Sequence, residues 1–301
     1  MVKDHYYPSC GMGQIRARSW EPENAPVAVI QLVHGIAEHL ERYDEFASYL
    51  CAQGYLVVAQ DHMGHGKSTQ AKGRFHGGWF AAVDDTYRLL CDTKTANPKI
   101  PYILFGHSMG SFLVRTILAK YPDSGINGAI LCGTGWMPEA ILTAGKAVAN
   151  AICKLKGEQF PSKLLQKMMF GSYNNRIEHP RTAFDWLTRD KKIVDAYVCD
   201  PACGFIPSAG MVRDMLSGML YNQNSKILAN MNPETPVLFI AGGDDPVGNY
   251  GAGVEQTSAA FRNVGVNKVT TKLYPLCRHE ILNEINKTEI YKDIASWILS
   301  T

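Results

Sequence analysis

The run Pro101-Tyr102-Ile103-Leu104-Phe105-Gly106-His107-Ser108-Met109-Gly110 decides the fold. Its first half is a short apolar stretch suited to a buried parallel strand. From Met109 to Tyr121 apolar residues recur at helical spacing. Between them stands G-x-S-x-G, which at a strand-to-helix junction holds a serine on a sharp turn with its hydroxyl exposed. The flanking glycines have a steric purpose, because side chains at Gly106 or Gly110 would hold strand and helix apart. Ser108 is therefore the candidate nucleophile.

Working outward, apolar β-branched runs alternate with amphipathic segments, the pattern of parallel strands joined by crossover helices. Strands are expected at Val27 to Val33, Tyr55 to Ala59, Pro101 to Phe105, Gly128 to Cys132, Pro236 to Ala241 and Lys268 to Tyr274. Helices are expected at Tyr43 to Gln53, Trp79 to Thr95, Met109 to Tyr121, Gly251 to Val264 and Lys287 to Leu299. Tyr6 to Ser9 and Gln14 to Trp20 flank Gly11-Met12-Gly13, a hairpin signal, so the sheet should begin antiparallel. The fold class is α/β, with a mostly parallel sheet of about eight strands flanked by helices.

Between Cys132 and Pro236 the alternation stops and helical patterns take over, which predicts a helical cap over 134–231 inserted into a core of 1–133 and 232–301. Ile141, Leu142, Val148, Ile152 and Leu155 are expected on one helix face, with further helices at Lys163 to Phe170 and Met211 to Tyr221. Met211, Met215 and Met219 recur every fourth residue, as core packing or as an adaptable wall for an acyl chain.

Composition narrows the class. With 301 residues, 46% hydrophobic and 19% charged, the chain can bury a sizeable core and is not disordered over most of its length. A formal net charge of +2 without a basic block argues against a nucleic-acid partner. Met1 to Tyr7 lacks a signal peptide's apolar stretch, and nowhere do eighteen apolar residues run together, so a soluble cytoplasmic protein is expected. Eight scattered cysteines then read as free thiols. Cys199 and Cys203 are close in sequence, but no histidine or further cysteine pair lies beside them at zinc-finger spacing, so no metal is expected.

A serine hydroxyl needs a base, and the base needs an orienting acid. In chains built around this elbow the order is Ser, then Asp or Glu, then His. After Ser108 only His179 and His279 remain. His179 falls in the insertion, whereas His279 directly follows the last strand. The acid should follow Val237 to Ala241, where Asp244 and Asp245 stand side by side, with Pro246 favouring Asp245. The oxyanion of a tetrahedral intermediate would face the N–H of Met109 and an amide from the loop His34-Gly35-Ile36-Ala37-Glu38-His39, with Ile36 the candidate. His34, Gly35, Glu38 and His107 are expected to support the site. Asp61-His62-Met63-Gly64-His65-Gly66-Lys67-Ser68 reads as a tight loop hydrogen-bonding backbone near the oxyanion loop rather than as a metal or phosphate site.

Together with Arg42-Tyr43 and Arg278-His279-Glu280, these blocks closely resemble the monoacylglycerol lipase and lysophospholipase-like branch of the α/β-hydrolases. The resemblance covers about Val27 to Gly133 and Pro236 to the C-terminus, and thins over the cap. It implies hydrolysis of a small amphiphilic ester through Ser108, Asp245 and His279, with Ile36 giving an oxyanion amide and no cofactor required. One amphipathic helix is too little to assign a membrane surface, so transient membrane or micelle contact through the cap stays open. Two rival readings stand beside the esterase. An aminopeptidase of the same fold would need a cap carboxylate for the substrate amine, for which Glu139, Glu158 and Asp214 are candidates. A non-catalytic binding protein would not need the ordered Ser, Asp and His.

Overall fold

The computed structural model describes residues 1–68 and 71–301. Eight strands form one sheet in the order β1-β2-β4-β3-β5-β6-β7-β8. These are β1 (Val2–Pro8), β2 (Gln14–Trp20), β3 (Ala28–Val33), β4 (Tyr55–Gln60), β5 (Tyr102–His107), β6 (Gly128–Cys132), β7 (Val237–Gly242) and β8 (Val269–Tyr274). The β1–β2 and β2–β4 pairs are antiparallel and the other five are parallel.

Each central strand is covered on both faces, which is why it reads as a continuous apolar run. In β5, Tyr102 and Leu104 join the core on one face, while Ile103 and Phe105 join the core on the other. The first face packs against α2 (Gly78–Ala96), α3 (Met109–Lys120) and α9 (Ala252–Asn263), through side chains such as Leu89, Leu113, Ile117 and Phe261. The second packs against α1 (Asp44–Ala52) and α10 (Lys287–Leu299), through Phe46, Leu50, Ile290 and Ile294.

β1 begins four residues before the expected Tyr6, and its polar, exposed residues explain why no hydrophobic period marks it. Pairing along its whole length with β2 holds it there, reinforced by Asp4 on the Arg16 and Arg18 guanidinium groups at 2.8 and 2.7 Å.

Between β6 and β7 lie α4 (Glu139–Lys156), α5 (Lys163–Phe170), α6 (Lys191–Cys199), α7 (Ala209–Tyr221) and the single turn α8 (Ser225–Leu228). Ser162, Asp190, Ser208 and Asn224 cap four of these helices with side-chain acceptors. α6 escaped the sequence pattern because only Val194 and Tyr197 along it are buried. The expected face of α4 is also split. Leu142 is fully buried against α7, whereas Leu155 at the last turn points to solvent. Met211 packs in the core, and Met215 and Met219, one and two turns on, reach a cavity wall. Among the described residues no helix is long and apolar enough to cross a membrane.

Candidate active site

Four loops at the carboxyl ends of strands converge: those after β3, β5, β7 and β8. This is where an α/β sheet collects its functional side chains. Ser108 sits between the last residue of β5 and the first of α3 at φ 52° and ψ −120°, a region costly for any residue with a Cβ. Its N–H donates to the Cys132 carbonyl at 2.9 Å, and its carbonyl accepts from Ser111 N–H at 2.9 Å and Ser111 Oγ at 2.6 Å. Those bonds over-determine the turn. A Cβ on Gly106 would lie 2.5 Å from the Gly110 carbonyl oxygen, so the flanking glycines are required by packing.

His279 is 2% exposed, and its Nδ1–H donates to Asp245 Oδ2 at 2.9 Å. Asp245 is fully buried, and its other oxygen accepts the Val247 N–H at 2.8 Å. Asp244 is exposed, so of the two neighbouring aspartates it is Asp245 that the fold brings to the imidazole. Burial works against a charged His279, but the Asp245 carboxylate, with Glu280 and Glu38 nearby, outweighs it and leaves the imidazole above its ordinary value. His107, 4.7 Å away between ring centroids, behaves oppositely: burial and the nearby His279 pull it down to about 4, so it is neutral. His179 lies exposed in the insertion.

The loop after β3 is bound on both sides. Gly35 N–H donates to Glu38 Oε1 at 2.6 Å, and a Cβ on Gly35 would fall 2.7 Å from that oxygen and 3.0 Å from Ser108 Cβ. His34 Nε2 accepts the His62 N–H at 3.1 Å, so its Nδ1 carries the proton and donates to the Gly35 carbonyl at 2.7 Å. Asp61 accepts from the Leu40 and Lys67 N–H groups, each at 2.9 Å, which makes 61–68 the backbone-binding loop its composition suggests. Ala37 takes φ 58°, and its carbonyl accepts from Gly204 N–H at 2.9 Å and Tyr197 hydroxyl at 2.8 Å, both in the insertion.

Arg42 joins this loop to the histidine loop. Its guanidinium binds Glu38 at 2.7 Å and Glu280 at 2.5 and 2.6 Å, and all three are buried or nearly so. Burial alone would raise the Glu280 carboxyl, but Arg42 holds it well below its usual range. Tyr43 adds a 3.0 Å bond to Glu38.

Ser108, His279, Ile36 and Met109 open onto one cavity of about 420 Å³. Its far wall is apolar, including Met137, Leu165, Met169, Met215, Leu216 and Met219. This size and lining suit one flexible apolar chain. The cavity's acidic lining residues among those described are Glu38 and Glu280, both engaged by Arg42. Glu158 and Asp214 are paired with Arg213, and neither they nor Glu139 line the cavity.

Sequence reasoning overlooked three participants. Trp186 packs against the His279 ring at 5.1 Å, and the 186–187 backbone carbonyls accept the N–H groups of His279 and Glu280. Tyr197 and Gly204 grip Ala37. All three sit in irregular or weakly patterned stretches, where no period marks them.

The sequence pattern of the family described as "Serine aminopeptidase, S33" matches residues 24–286. A monoacylglycerol lipase from Mycolicibacterium smegmatis is 29% identical over 300 residues, covering 99% of this chain and 97% of its own. A monoglyceride lipase from Rattus norvegicus is 28% identical, covering 89% and 84% respectively. Among solved structures, a thermostable carboxyl esterase from Bacillus coagulans, crystallised with glycerol, superposes with a TM-score of 0.92 at 29% identity, covering 99% of this chain and 98% of that one.

Proposed function

Since the chain belongs to the serine aminopeptidase S33 family, whose α/β-hydrolase fold it has, we propose that it is a carboxylic ester hydrolase acting on single-chain lipid esters, of the monoacylglycerol or lysophospholipid kind. The observation that carries this reading is that Ser108 and His279, the latter bonded to the buried Asp245 carboxylate, line one mostly apolar cavity.

In this reading Ser108 Oγ attacks the ester carbonyl while His279 Nε2 takes its proton. Asp245 keeps the proton on Nδ1 and stabilises the imidazolium that forms. The oxyanion is met by the N–H groups of Met109, at the positive end of α3, and of Ile36. His279 returns its proton to the departing alcohol, leaving an acyl-enzyme. Water, deprotonated by the same histidine, then releases the fatty acid. Residues 134–231 act as the cap whose apolar side chains hold the acyl chain.

The family's description leaves an aminopeptidase as the rival. A free α-amine needs an uncommitted carboxylate in the cavity, and the two acidic groups lining it are already neutralised by Arg42. Labelling with a fluorophosphonate probe tests the nucleophile. p-Nitrophenyl esters of rising chain length, set against amino-acid p-nitroanilides, test the substrate class. The wild type is expected to label and to cleave the esters, and Ser108→Ala and His279→Ala each to lose nearly all turnover while staying folded. Preferential cleavage of the anilides, or substantial activity in either variant, would refute the reading.

A further inference from the structure

His39 is the last residue of the loop that carries Gly35, Ile36 and Ala37, and the fold brings it against a turn of the insertion. Its Nε2 lies 2.8 Å from Asp200 Oδ2, and one ligand atom each from His39, Asp200 and Cys203 lie within 4.8 Å of one another. From this juxtaposition we propose that His39, Asp200 and Cys203 form a binding site for a borderline-soft divalent cation, Zn²⁺ foremost, that fastens the insertion to the loop after β3.

The donor set is one imidazole, one carboxylate and one thiol. Three such ligands plus water are a common tetrahedral arrangement for zinc, whereas magnesium and calcium would decline the sulfur. Donor atoms around tetrahedral zinc stand about 3.2–3.8 Å apart, given bonds of about 2.0–2.3 Å. The cluster reaches that by small rotations, with Asp200 Oδ2 backing off slightly from His39.

Two ligands are pre-positioned by one turn. Asp200 Oδ1 accepts the Ala202 N–H at 2.7 Å and the Asp200 carbonyl accepts the Cys203 N–H at 3.0 Å, which leaves Oδ2 turned toward His39. Behind the third ligand stands another carboxylate, with Glu41 Oε2 3.7 Å from His39 Nδ1, too far for a direct hydrogen bond but adding negative charge beside the site. His39 and Cys203 are buried, whereas the Asp200 side chain is 31% exposed, so the cation would enter and the water ligand would stand on the Asp200 side.

Of the cations around the cluster, Arg42 is already matched by two buried carboxylates, Glu38 and Glu280, and Lys72 donates to the Pro201 carbonyl at 2.7 Å. Burial pushes the Cys203 thiol well up, so without metal it is neutral; on binding, its proton passes to solvent as the S–metal bond forms.

A bound cation would replace the His39–Asp200 contact with a stronger tie between insertion and loop, beside the bonds from Tyr197 and Gly204 to the Ala37 carbonyl. The site rests on no reading of the reaction. Its spacing also explains its invisibility in the sequence: His39 lies 161 residues from Asp200.

The test is titration of chelator-stripped, reduced, full-length protein with Co²⁺ and then Zn²⁺. Expected are one equivalent of Co²⁺ with a thiolate-to-cobalt charge-transfer band, displacement by Zn²⁺, and a rise in Tm of about 5 °C at a hundredfold excess of Zn²⁺ over Kd. Cys203→Ser should abolish the band, and His39→Gln and Asp200→Asn should each weaken Zn²⁺ binding at least about tenfold. Cys199→Ser, altering an exposed thiol four residues away, should change nothing. Circular dichroism of the metal-free variants checks their folding, and the two non-cysteine variants keep the test decisive if Cys203→Ser misfolds. Absence of the band, its survival in Cys203→Ser, its loss in Cys199→Ser, or Zn²⁺ affinity unmoved by His39→Gln and Asp200→Asn would each overturn the proposal.

Discussion

Replacing Arg42 with methionine should destabilise the protein more than any other exchange of a charged side chain in the site region. The methionine side chain would keep much of the apolar stem but leave Glu38 and Glu280 facing each other without their cation. Removing one partner of a buried ion pair costs about 3–5 kcal/mol, since the remaining charge stays desolvated. Here one guanidinium serves two carboxylates through contacts of 2.5–2.7 Å, so the upper half of that range applies. At about 2–3 °C per kcal/mol for a chain of this size, Tm should fall by about 8–15 °C. Activity should fall as well, because Glu280 follows His279 directly and Glu38 holds the Gly35 amide. The double variant Arg42→Met/Glu280→Gln separates charge from packing: removing one stranded carboxylate should restore about half of the lost stability. Calorimetry and ester turnover on the three proteins are the assay. A loss under about 1 kcal/mol for Arg42→Met, or no recovery in the double variant, would refute the claim that the two loops are joined through a desolvated charge network.

Ser108→Gly should abolish turnover yet raise stability by about 1 kcal/mol in urea denaturation, because glycine accepts φ 52° and relieves the strained turn. Gly35→Ala, whose Cβ would crowd Glu38 Oε1 and Ser108 Cβ, should cut kcat by on the order of a hundredfold with little change in the far-ultraviolet spectrum. The acid limb of kcat/KM should have its midpoint above the 6.5 of free histidine, since the Asp245 carboxylate raises His279 and only the neutral imidazole can act as base. The same shift stabilises the fold fully below pH 6.5, and that contribution is lost as pH rises through the raised value. Glu280 works in the other sense: held down by Arg42, it stabilises the protein above about pH 4.5, a contribution lost as the pH falls toward its lowered value. Unfolding free energies between pH 3 and pH 9 read both limbs.

What the sequence by itself determined is local. Short apolar, β-branched runs located the six parallel strands and 3.6-residue periods the five helices of the core, because the central strands are buried on both faces and each helix buries one. The elbow at 106–110 was legible because only glycine tolerates such close approach of strand and helix. Chain order then pointed to His279 as partner of Ser108. What only the tertiary structure decided concerns residues distant in sequence or without a period. Pro246 and the family resemblance favour Asp245 over its neighbour Asp244, and it is the turn after β7 that sends Asp244 to solvent and Asp245 to His279. Trp186, Tyr197 and Gly204 occupy weakly patterned stretches, yet the path of the insertion brings them onto the loops after β8 and β3. The Cys199 and Cys203 pair offers no ligand spacing in the sequence, and His39 reaches Asp200 and Cys203 only when the insertion folds back over the sheet. Hydrophobic periodicity records which face of an element is buried, while the partner that buries it is settled by packing across the whole chain.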